Sequence, residues 1–165
     1  RFSRPRAYLK FSEIAVVAPF EEGSAIMFRV ASYKNNMLSE AEVNITAAIE
    51  ENIDGKLVSK FYQIEPTLKK INSFSLNWTL VHKIDSNSPF YGFSEDDFKN
   101  TDIELIIMIK AFDEVFANTV VQRTSYITPE IVYGARFLPM YHSSEDNKTT
   151  ILDLDKIDDY QVVKI

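Results

Sequence analysis

Apolar and polar residues alternate over much of this chain, and that period of two most restricts what the chain can fold into. Between Glu42 and Glu50 every second residue is apolar, namely Val43, Ile45, Ala47 and Ile49. A β-strand places such residues on one face, whereas an α-helix would scatter them around its circumference. Ser39 and Glu42 have the spacing of a helix capping box, but the longer alternation favours a strand.

Further segments with strand character are separated by turns rather than by helices. Residues 52–55 are typical of a hairpin turn, with Gly55 supplying a positive φ, and they connect the first strand to residues 56–64. The one predicted helix is short and is capped by Ser94. The other predicted strands are 14–18, 25–31, 74–84, 103–111, 119–127, 131–137 and 149–154. This pattern predicts an all-β sandwich or barrel in one domain.

His82 lies on the apolar face of the predicted strand 74–84, together with Trp78. A histidine in such a position is expected to be neutral and hydrogen-bonded at the edge of the core. Asp85 and Ser88 follow it and supply the residue types of a hydrolase triad. No nucleophile elbow surrounds Ser88, however, so a structural role is favoured over a catalytic one.

The composition supports little other chemistry. The chain has two histidines and no cysteine, which excludes a disulfide or a thiolate metal site. Its four glycines are too dispersed for a phosphate-binding loop. Two acids brought together by the fold, as in glycosidases, stay open as an alternative, but no such pair stands out. The sequence therefore predicts neither an enzyme nor a bound cofactor or metal.

The net charge of −6 is unevenly distributed along the chain. An acidic body disfavours nucleic acid as a partner, because binding to nucleic acid depends mainly on neutralising phosphates. The first twelve residues contain Arg1, Arg4, Arg6 and Lys10 and no acid, so they are expected either to contact anionic lipids or to form a solvated tail. No apolar run has the roughly 20 residues of a membrane span. Because the chain starts on Arg1, we expect it to be a piece of a longer protein.

Four segments resemble motifs of inward-rectifier potassium channels and occur in the order found in that family. HKIDSNSPFYGFS (82–94) is similar to the family's His-x-Ile-Asp-x-x-Ser-Pro segment. RPRAYLKFSEIAVVAP (4–19) resembles the start of its cytoplasmic domain, and IMFRVAS (26–32) resembles one of its strands. RTSYITPEIVYGARF (123–137) is similar to its Arg-x-Ser-Tyr run. The bacterial branch of the family is the more similar one.

The resemblance implies an immunoglobulin-like β-sandwich that assembles as a homotetramer on the cytoplasmic side of the cell membrane. Residues 1–12 would be a basic connector after the pore helices, and residues 13–165 would be the cytoplasmic domain. Four copies would extend the path of potassium ions and couple lipid or ligand binding to gating. A free-standing immunoglobulin-like binding module without a pore is the alternative.

Glu40 and Lys110 match positions that line the cytoplasmic pore in this family. The resemblance implies that four copies of Glu40 would attract potassium and blocking cations, either magnesium or polyamines. A plain surface acid is the alternative for Glu40. Lys110 stands where strongly rectifying animal channels have a second acid, so strong block is not expected. The period of two places Lys110 on the outward face of its strand.

Residues 112–119 match the loop that narrows the cytoplasmic pore at its membrane end. The resemblance assigns the gating role to Phe112, Asp113, Glu114, Phe116, Ala117 and Asn118. Phe112, Phe116 or Ala117 would form an apolar constriction that gates by dewetting. The alternative is that both phenylalanines are buried inside the sandwich.

Arg4, Arg6 and Arg123 match residues that respond to phosphoinositides in this family. The resemblance implies that they face anionic membrane lipids, with the direction of the effect on gating left open. An ion pair with Glu114 of the same chain is the alternative for Arg123. The resemblance also assigns a structural role at the corner after the histidine strand to His82, Asp85, Ser88, Pro89 and Tyr91.

Vesicles that contain anionic lipid are predicted to bind this chain more strongly than neutral vesicles do. The attraction should weaken as salt is added, because the screening length falls to about 10 Å at about 0.1 M salt. Replacing both Arg4 and Arg6 by glutamine should reduce binding in a co-sedimentation assay. Unchanged binding of that double variant would identify the basic segment as a solvated tail.

Overall fold

A computed structural model describes residues 8–33, 37–74 and 77–165 and shows an all-β fold. Within these ranges there are one α-helix, α1 (Glu95–Asn100), and two short 3₁₀ helices, Thr128–Glu130 and Leu154–Lys156. The strands are β1 (Leu9–Phe11), β2 (Ala15–Phe20), β3 (Gly23–Ser32), β4 (Leu38–Ile53), β5 (Lys56–Ile64), β6 (Lys70–Ser73), β7 (Trp78–Ile84), β8 (Ile103–Asp113), β9 (Asn118–Ile127), β10 (Ile131–Tyr133), β11 (Ala135–Phe137), β12 (Tyr141–Ser143), β13 (Thr150–Leu152) and β14 (Tyr160–Val162).

Two sheets pack face to face and confirm the predicted sandwich. In the first sheet β3 pairs with β7 along one edge and with β1 and β2 in succession along the other, and β10 joins β2 in parallel. In the second sheet β4 pairs with β8 along one edge and with β5 and β6 along the other, and β9 pairs with β8. Side chains of both sheets form one apolar core, which includes Val17, Phe28, Val43, Leu105 and Ile107.

The two sheets differ in how many of their faces are covered. Residues 15–18 of β2 form a continuous buried run, because a second apolar layer around Ala135 packs on the outer face of the first sheet. β4 and β8 instead alternate between buried and accessible residues. The outer face of the second sheet, which we call the open face, is therefore available to solvent or partners.

The hairpin turn and the helix are confirmed. Asp54 and Gly55 both have positive φ, 53° and 82°, as a tight turn between β4 and β5 requires. At the start of α1 the Ser94 hydroxyl accepts a hydrogen bond from the Asp97 amide, and the Asp97 carboxylate accepts one from the Ser94 amide. Local turn and cap chemistry was sufficient to place both elements.

Three predicted strands are shorter or divided. The strand predicted at 74–84 starts only at Trp78, and Phe74 lies outside it with its ring 6.1 Å from the Trp78 ring. The strand predicted at 131–137 is divided at Gly134, whose φ is 75°. The strand predicted at 149–154 is limited to β13, because the chain turns into a 3₁₀ helix after it.

A buried arginine, Arg29 on β3, fastens the C-terminal segment to the first sheet. Its guanidinium donates hydrogen bonds only to backbone carbonyls, and the ring of Phe137 lies 4.4 Å below it. The accepting carbonyls belong to Leu138, Ile157, Lys156 and Asp159, at 2.5, 3.0, 2.9 and 3.3 Å. Burial lowers the pKa of Arg29, while Asp158 and Asp159 act in the opposite direction. The sequence pattern did not predict this contact.

The division into a connector, residues 1–12, and a domain, residues 13–165, stays a prediction. Residues 1–7 lie outside the described part of the chain, and residues 9–11 pair with β3 as β1. None of the helices among the described residues has the length and apolar character of a membrane span.

Gly134→Ala is predicted to destabilise the fold more than Gly92→Ala does. A methyl group on Gly134 would lie 2.9 Å from the backbone oxygen of Val163, in addition to the strain of a φ of 75°. Gly92 is the matched control, since its φ is 84° and a methyl group there meets nothing within 4 Å. Urea unfolding should show losses of about 2–3 kcal/mol for Gly134→Ala and about 1 kcal/mol for Gly92→Ala. Equal losses would mean that the close approach of Val163 has no energetic importance.

Candidate functional site

One end of the open face brings together the two charged residues that were predicted to line an ion path. Glu40 lies on β4 and Lys110 on β8, and both are exposed. Glu42, which the sequence did not single out, is the direct partner of Lys110 in the ladder between these strands. Lys70 on β6 places its Nζ 3.9 Å from the Glu42 carboxylate. Two acids and two lysines therefore share one surface.

A β-bulge in β4 determines where Glu40 lies. Ser39 pairs with Phe112 and Glu42 with Lys110, so β4 has one more residue than β8 between these pairs. Glu40 has a φ of 51°, in the left-handed region that glutamate seldom adopts. A strict alternation of inward and outward residues, counted back from Val43, does not predict this bulge. The geometry of Glu40 therefore had to come from the structure.

The four charged side chains border a cavity of about 400 Å³ that Phe112 and Thr119 also line. In one copy of the chain the formal charges of the two carboxylates and the two ammonium groups cancel. A cation in the cavity would therefore feel attraction from Glu40 and Glu42 and comparable repulsion from Lys70 and Lys110. One copy of the chain therefore gives this surface no net charge.

The turn between β8 and β9 lies at the same end of the open face. Asp113 is buried, and its Oδ1 accepts hydrogen bonds from the backbone amides of Val115 at 2.9 Å and Phe116 at 3.3 Å. The Glu114 amide donates to the carbonyl of Met37 at 2.9 Å. The turn is therefore held by a buried carboxylate and by a contact to the start of β4.

The apolar residues of this turn differ in exposure. Phe116 is 65% exposed and Val115 is 56% exposed, whereas Phe112 is partly buried beside the cavity. The alternative that both phenylalanines are buried inside the sandwich is therefore wrong for Phe116. Ala117, with a φ of 53°, and Asn118 are exposed at the end of the turn. Val115 was not predicted, although it lies beside residues that were.

Arg123 lies on the exposed face of β9, opposite Met108 of β8. That register places it five positions from the end of the hairpin, roughly 17 Å along the strand from the turn that contains Glu114. The alternative ion pair between Arg123 and Glu114 is therefore not formed, and no ion pair between described residues includes Arg123. Arg4 and Arg6 lie outside the described residues.

His82 is hydrogen-bonded at the edge of the core, as predicted. It is 7% exposed, and its Nδ1 donates to the carbonyl of Glu65 at 2.8 Å. Because that carbonyl can only accept, the neutral ring leaves Nε2 as an acceptor for the Ser88 hydroxyl at 2.8 Å. The Ser88 oxygen accepts in turn from the Phe90 amide at 3.1 Å. This chain of hydrogen bonds is complete with a neutral imidazole.

The same corner is not a catalytic triad. The Asp85 carboxylate accepts a hydrogen bond from the Asn87 amide at 2.9 Å, while both ring nitrogens of His82 have other partners. Ser88 is only 8% exposed, so its hydroxyl is not available to a substrate. Among the described residues, no group of three or more His, Cys, Asp or Glu side chains is suited to a metal ion.

The rest of the corner fixes an aromatic cluster. Pro89 is partly buried, and the fully buried Phe90 stacks on Phe98 of α1 with 5.6 Å between ring centroids. Tyr91 is 64% exposed and contributes through its backbone amide, which donates to the Ser88 carbonyl at 3.1 Å. Phe90, which the sequence analysis did not name, is the aromatic anchor of this corner.

Comparison with known proteins identifies one family. The family model described as "Inward rectifier potassium channel C-terminal domain" matches residues 9–165. The chain is 31% identical to "Inward rectifier potassium channel Kirbac3.1" of Paramagnetospirillum magnetotacticum over 157 residues, which cover 94% of this chain and 53% of that relative.

Animal relatives are similar over a smaller part of their length. Identity to "ATP-sensitive inward rectifier potassium channel 8" of Mus musculus is 32% over 142 residues, covering 83% of this chain and 34% of the relative. Identity to "Inward rectifier potassium channel irk-1" of Caenorhabditis elegans is 26% over 151 residues, covering 88% of this chain and 28% of the relative. The chain thus spans about half of the bacterial relative and about a third of the animal ones.

Stability is predicted to fall as the pH is lowered below about 6.5, in part because of His82. Burial lowers the pKa of His82, and the hydrogen bond to the Glu65 carbonyl and the charge of Asp85 oppose this only in part. The unfolded chain therefore binds the proton more tightly than the folded one. The contribution is complete above the ordinary histidine pKa of about 6.5 and is lost as the pH falls through the folded-state pKa.

Urea unfolding at about pH 7.5 and about pH 5.5 measures this contribution. His82→Gln should lower stability at pH 7.5 but show a smaller further loss at pH 5.5 than the unmodified chain. Gln63→Met is the control, since Gln63 is exposed and has no titratable side chain, and it should keep the original pH dependence. An unchanged slope in His82→Gln would contradict the assignment.

Proposed function

Since this chain belongs to the inward rectifier potassium channel C-terminal domain family, we propose that four copies form a ring that extends the potassium path of a channel. The ring would lie on the cytoplasmic side of the cell membrane. The observation that carries the proposal is the shared position of Glu40, Glu42 and Lys110 beside the exposed turn at one end of the open face. A four-fold axis next to this end would bring four such sets together.

The charges of the proposed path favour weak binding of blocking cations. Glu40 forms no ion pair with another described residue and is the acid most able to attract potassium, magnesium or polyamines. Glu42 is close to Lys70 and directly across from Lys110, so its attraction is largely offset. Four copies of Lys110 would oppose cation accumulation. Strong rectification is therefore not part of the proposal.

The turn between β8 and β9 is proposed as the narrowest part of the ring. Phe116 and Val115 are exposed although they are apolar, while Asp113 holds the backbone below them. Apolar side chains from four copies would surround a short part of the ion path, and that part would lose its water when the ring narrows. A turn held by its own hydrogen bonds would move as a unit.

Anionic membrane lipids, including phosphoinositides, are the proposed partners of Arg4, Arg6 and Arg123. Arg123 is exposed on β9, where its guanidinium is available for a phosphate headgroup. Binding of lipid at these residues would couple the membrane surface to the gating turn at the end of the same strand. The vesicle experiment described above tests the basic segment of this surface.

Lys110→Glu in the reconstituted full-length channel is the decisive experiment. It changes the formal charge by two units per subunit and by eight in the ring, which is too much for screening to hide in a confined path. The concentration of internal polyamine that blocks half of the current should be at least about tenfold lower in this variant. Glu40→Gln should weaken the block. The readout is potassium current as a function of polyamine concentration.

Lys99→Glu is the matched control, because it makes the same change of charge on α1, near the other end of β8. The polyamine concentration that blocks half of the potassium current should be the same in Lys99→Glu as in the unmodified channel. Comparable block in the unmodified channel, Lys110→Glu and Glu40→Gln would mean that neither side chain lines the ion path.

A further inference from the structure

The side chain of Gln122 connects the two sheets by taking the place of a neighbouring strand. Gln122 lies on β9 of the second sheet, and its Oε1 accepts hydrogen bonds from the backbone amides of Tyr8 at 3.2 Å and Leu9 at 3.0 Å. Its Nε2 donates to the Leu9 carbonyl at 2.7 Å. One amide side chain thus satisfies both backbone groups of Leu9, as the edge of a sheet would.

The start of β1 is consequently held from two sides. On the side away from Gln122, Leu9 pairs with Ser32 of β3, and the Tyr33 amide donates to the Tyr8 carbonyl at 3.2 Å. A second contact to β9 follows at Ser12, whose carbonyl accepts a hydrogen bond from the Tyr126 hydroxyl at 2.7 Å. β1 therefore bridges the edges of both sheets.

Gln122 also lies between two segments that the proposed function uses. Residues 1–7, which contain the basic segment, directly precede Tyr8. In the other direction, four positions of β9 separate Gln122 from Asn118 at the end of the gating turn, about 14 Å along the strand. Gln122 is paired with Ile109 of β8, so β9 is firmly joined to the strand that leads into the same turn.

We propose that Gln122 is a positioning residue that transmits displacements of the segment before β1 to the turn at residues 114–117. This inference rests on the proposed function, because it assigns the route by which lipid contact would reach the gate. With the three hydrogen bonds intact, a shift of Leu9 carries β9 with it. Without them, Leu9 stays joined to β3, and the segment contacts β9 only three residues later, through Ser12 and Tyr126.

The chemistry of the contact requires a primary amide. Glutamate at this position could accept from Tyr8 and Leu9 but could not donate to the Leu9 carbonyl, and its charge would face that carbonyl oxygen. Methionine has similar length and offers no comparable donor or acceptor. Gln122→Met therefore removes the contact with little change in volume, and Gln122→Glu removes one part of it.

The test uses the full-length channel in phosphatidylcholine vesicles with increasing fractions of a phosphoinositide. In Gln122→Met, the backbone amides of Tyr8 and Leu9 should exchange hydrogen about tenfold faster, because two hydrogen bonds to them are lost. The phosphoinositide fraction that gives half of the full change in potassium flux should shift by about fivefold or more. Polyamine block, which depends on Glu40 and Lys110, should not change. Gln122→Glu should shift both exchange and flux in the same direction by less.

Gln63→Met is the control, since Gln63 on β5 donates only to the Asn44 side chain, at 3.3 Å, and does not contact β1. It should leave both readouts unchanged. Faster exchange with an unchanged phosphoinositide dependence in both Gln122 variants would show a purely structural contact and overturn the inference. Equal shifts in Gln63→Met would show general loosening and overturn it as well. If the unmodified channel conducts potassium without responding to phosphoinositide, the lipid part of the proposed function fails first, and this inference fails with it.

Discussion

Burial of one face of the second sheet against the first is the constraint on which the other features depend. Because strands turn successive side chains to opposite faces, burying Val43 and Ile109 forces their neighbours Glu42 and Lys110 outward as a facing pair. In the described part of the chain, the outer face of the first sheet is instead covered around Ala18 and Ala31 by residues near Ala135 and Met140. The open face, and with it the candidate ion path, is thus a consequence of how the core is closed.

Buried and partly buried polar side chains fasten the segments that have little regular structure of their own. Arg29 holds carbonyls of the C-terminal segment, His82 joins the strand to the loop that contains Glu65, and Gln122 holds Leu9. In each case a side chain satisfies backbone groups that lack a ladder partner, and the described residues contain no fully buried side-chain nitrogen or oxygen without a hydrogen bond. Removing Arg29 or Gln122 takes hydrogen bonds from more than one backbone group at once, whereas removing His82 takes one from the Glu65 carbonyl.

The proposed function would give three features of the second sheet a common purpose. The cavity with balanced charge, the exposed turn held by Asp113 and the contact of Gln122 with Leu9 all lie on or next to β8 and β9. In the proposed ring, the hairpin of these two strands would lie near the axis at its tip and would contact the connector along its edge. Such an arrangement would couple distant surfaces through a rigid element rather than through a flexible linker.

Sequence alone determined the all-β class, the hairpin turn at Gly55, the cap at Ser94 and the outward position of Lys110, since each follows from local periodicity or turn chemistry. Its motifs also led to the family and to His82 as a structural residue.

Only the tertiary structure decided that Glu42 faces Lys110 and that a bulge places Glu40. It also decided that Phe90 rather than Tyr91 is buried, and that Gln122 holds Leu9. These features depend on register and on contacts between residues far apart in the chain, the longest of which spans more than a hundred positions. A two-residue period indicates the face of the sheet on which a side chain lies, but it does not indicate which residue that side chain contacts.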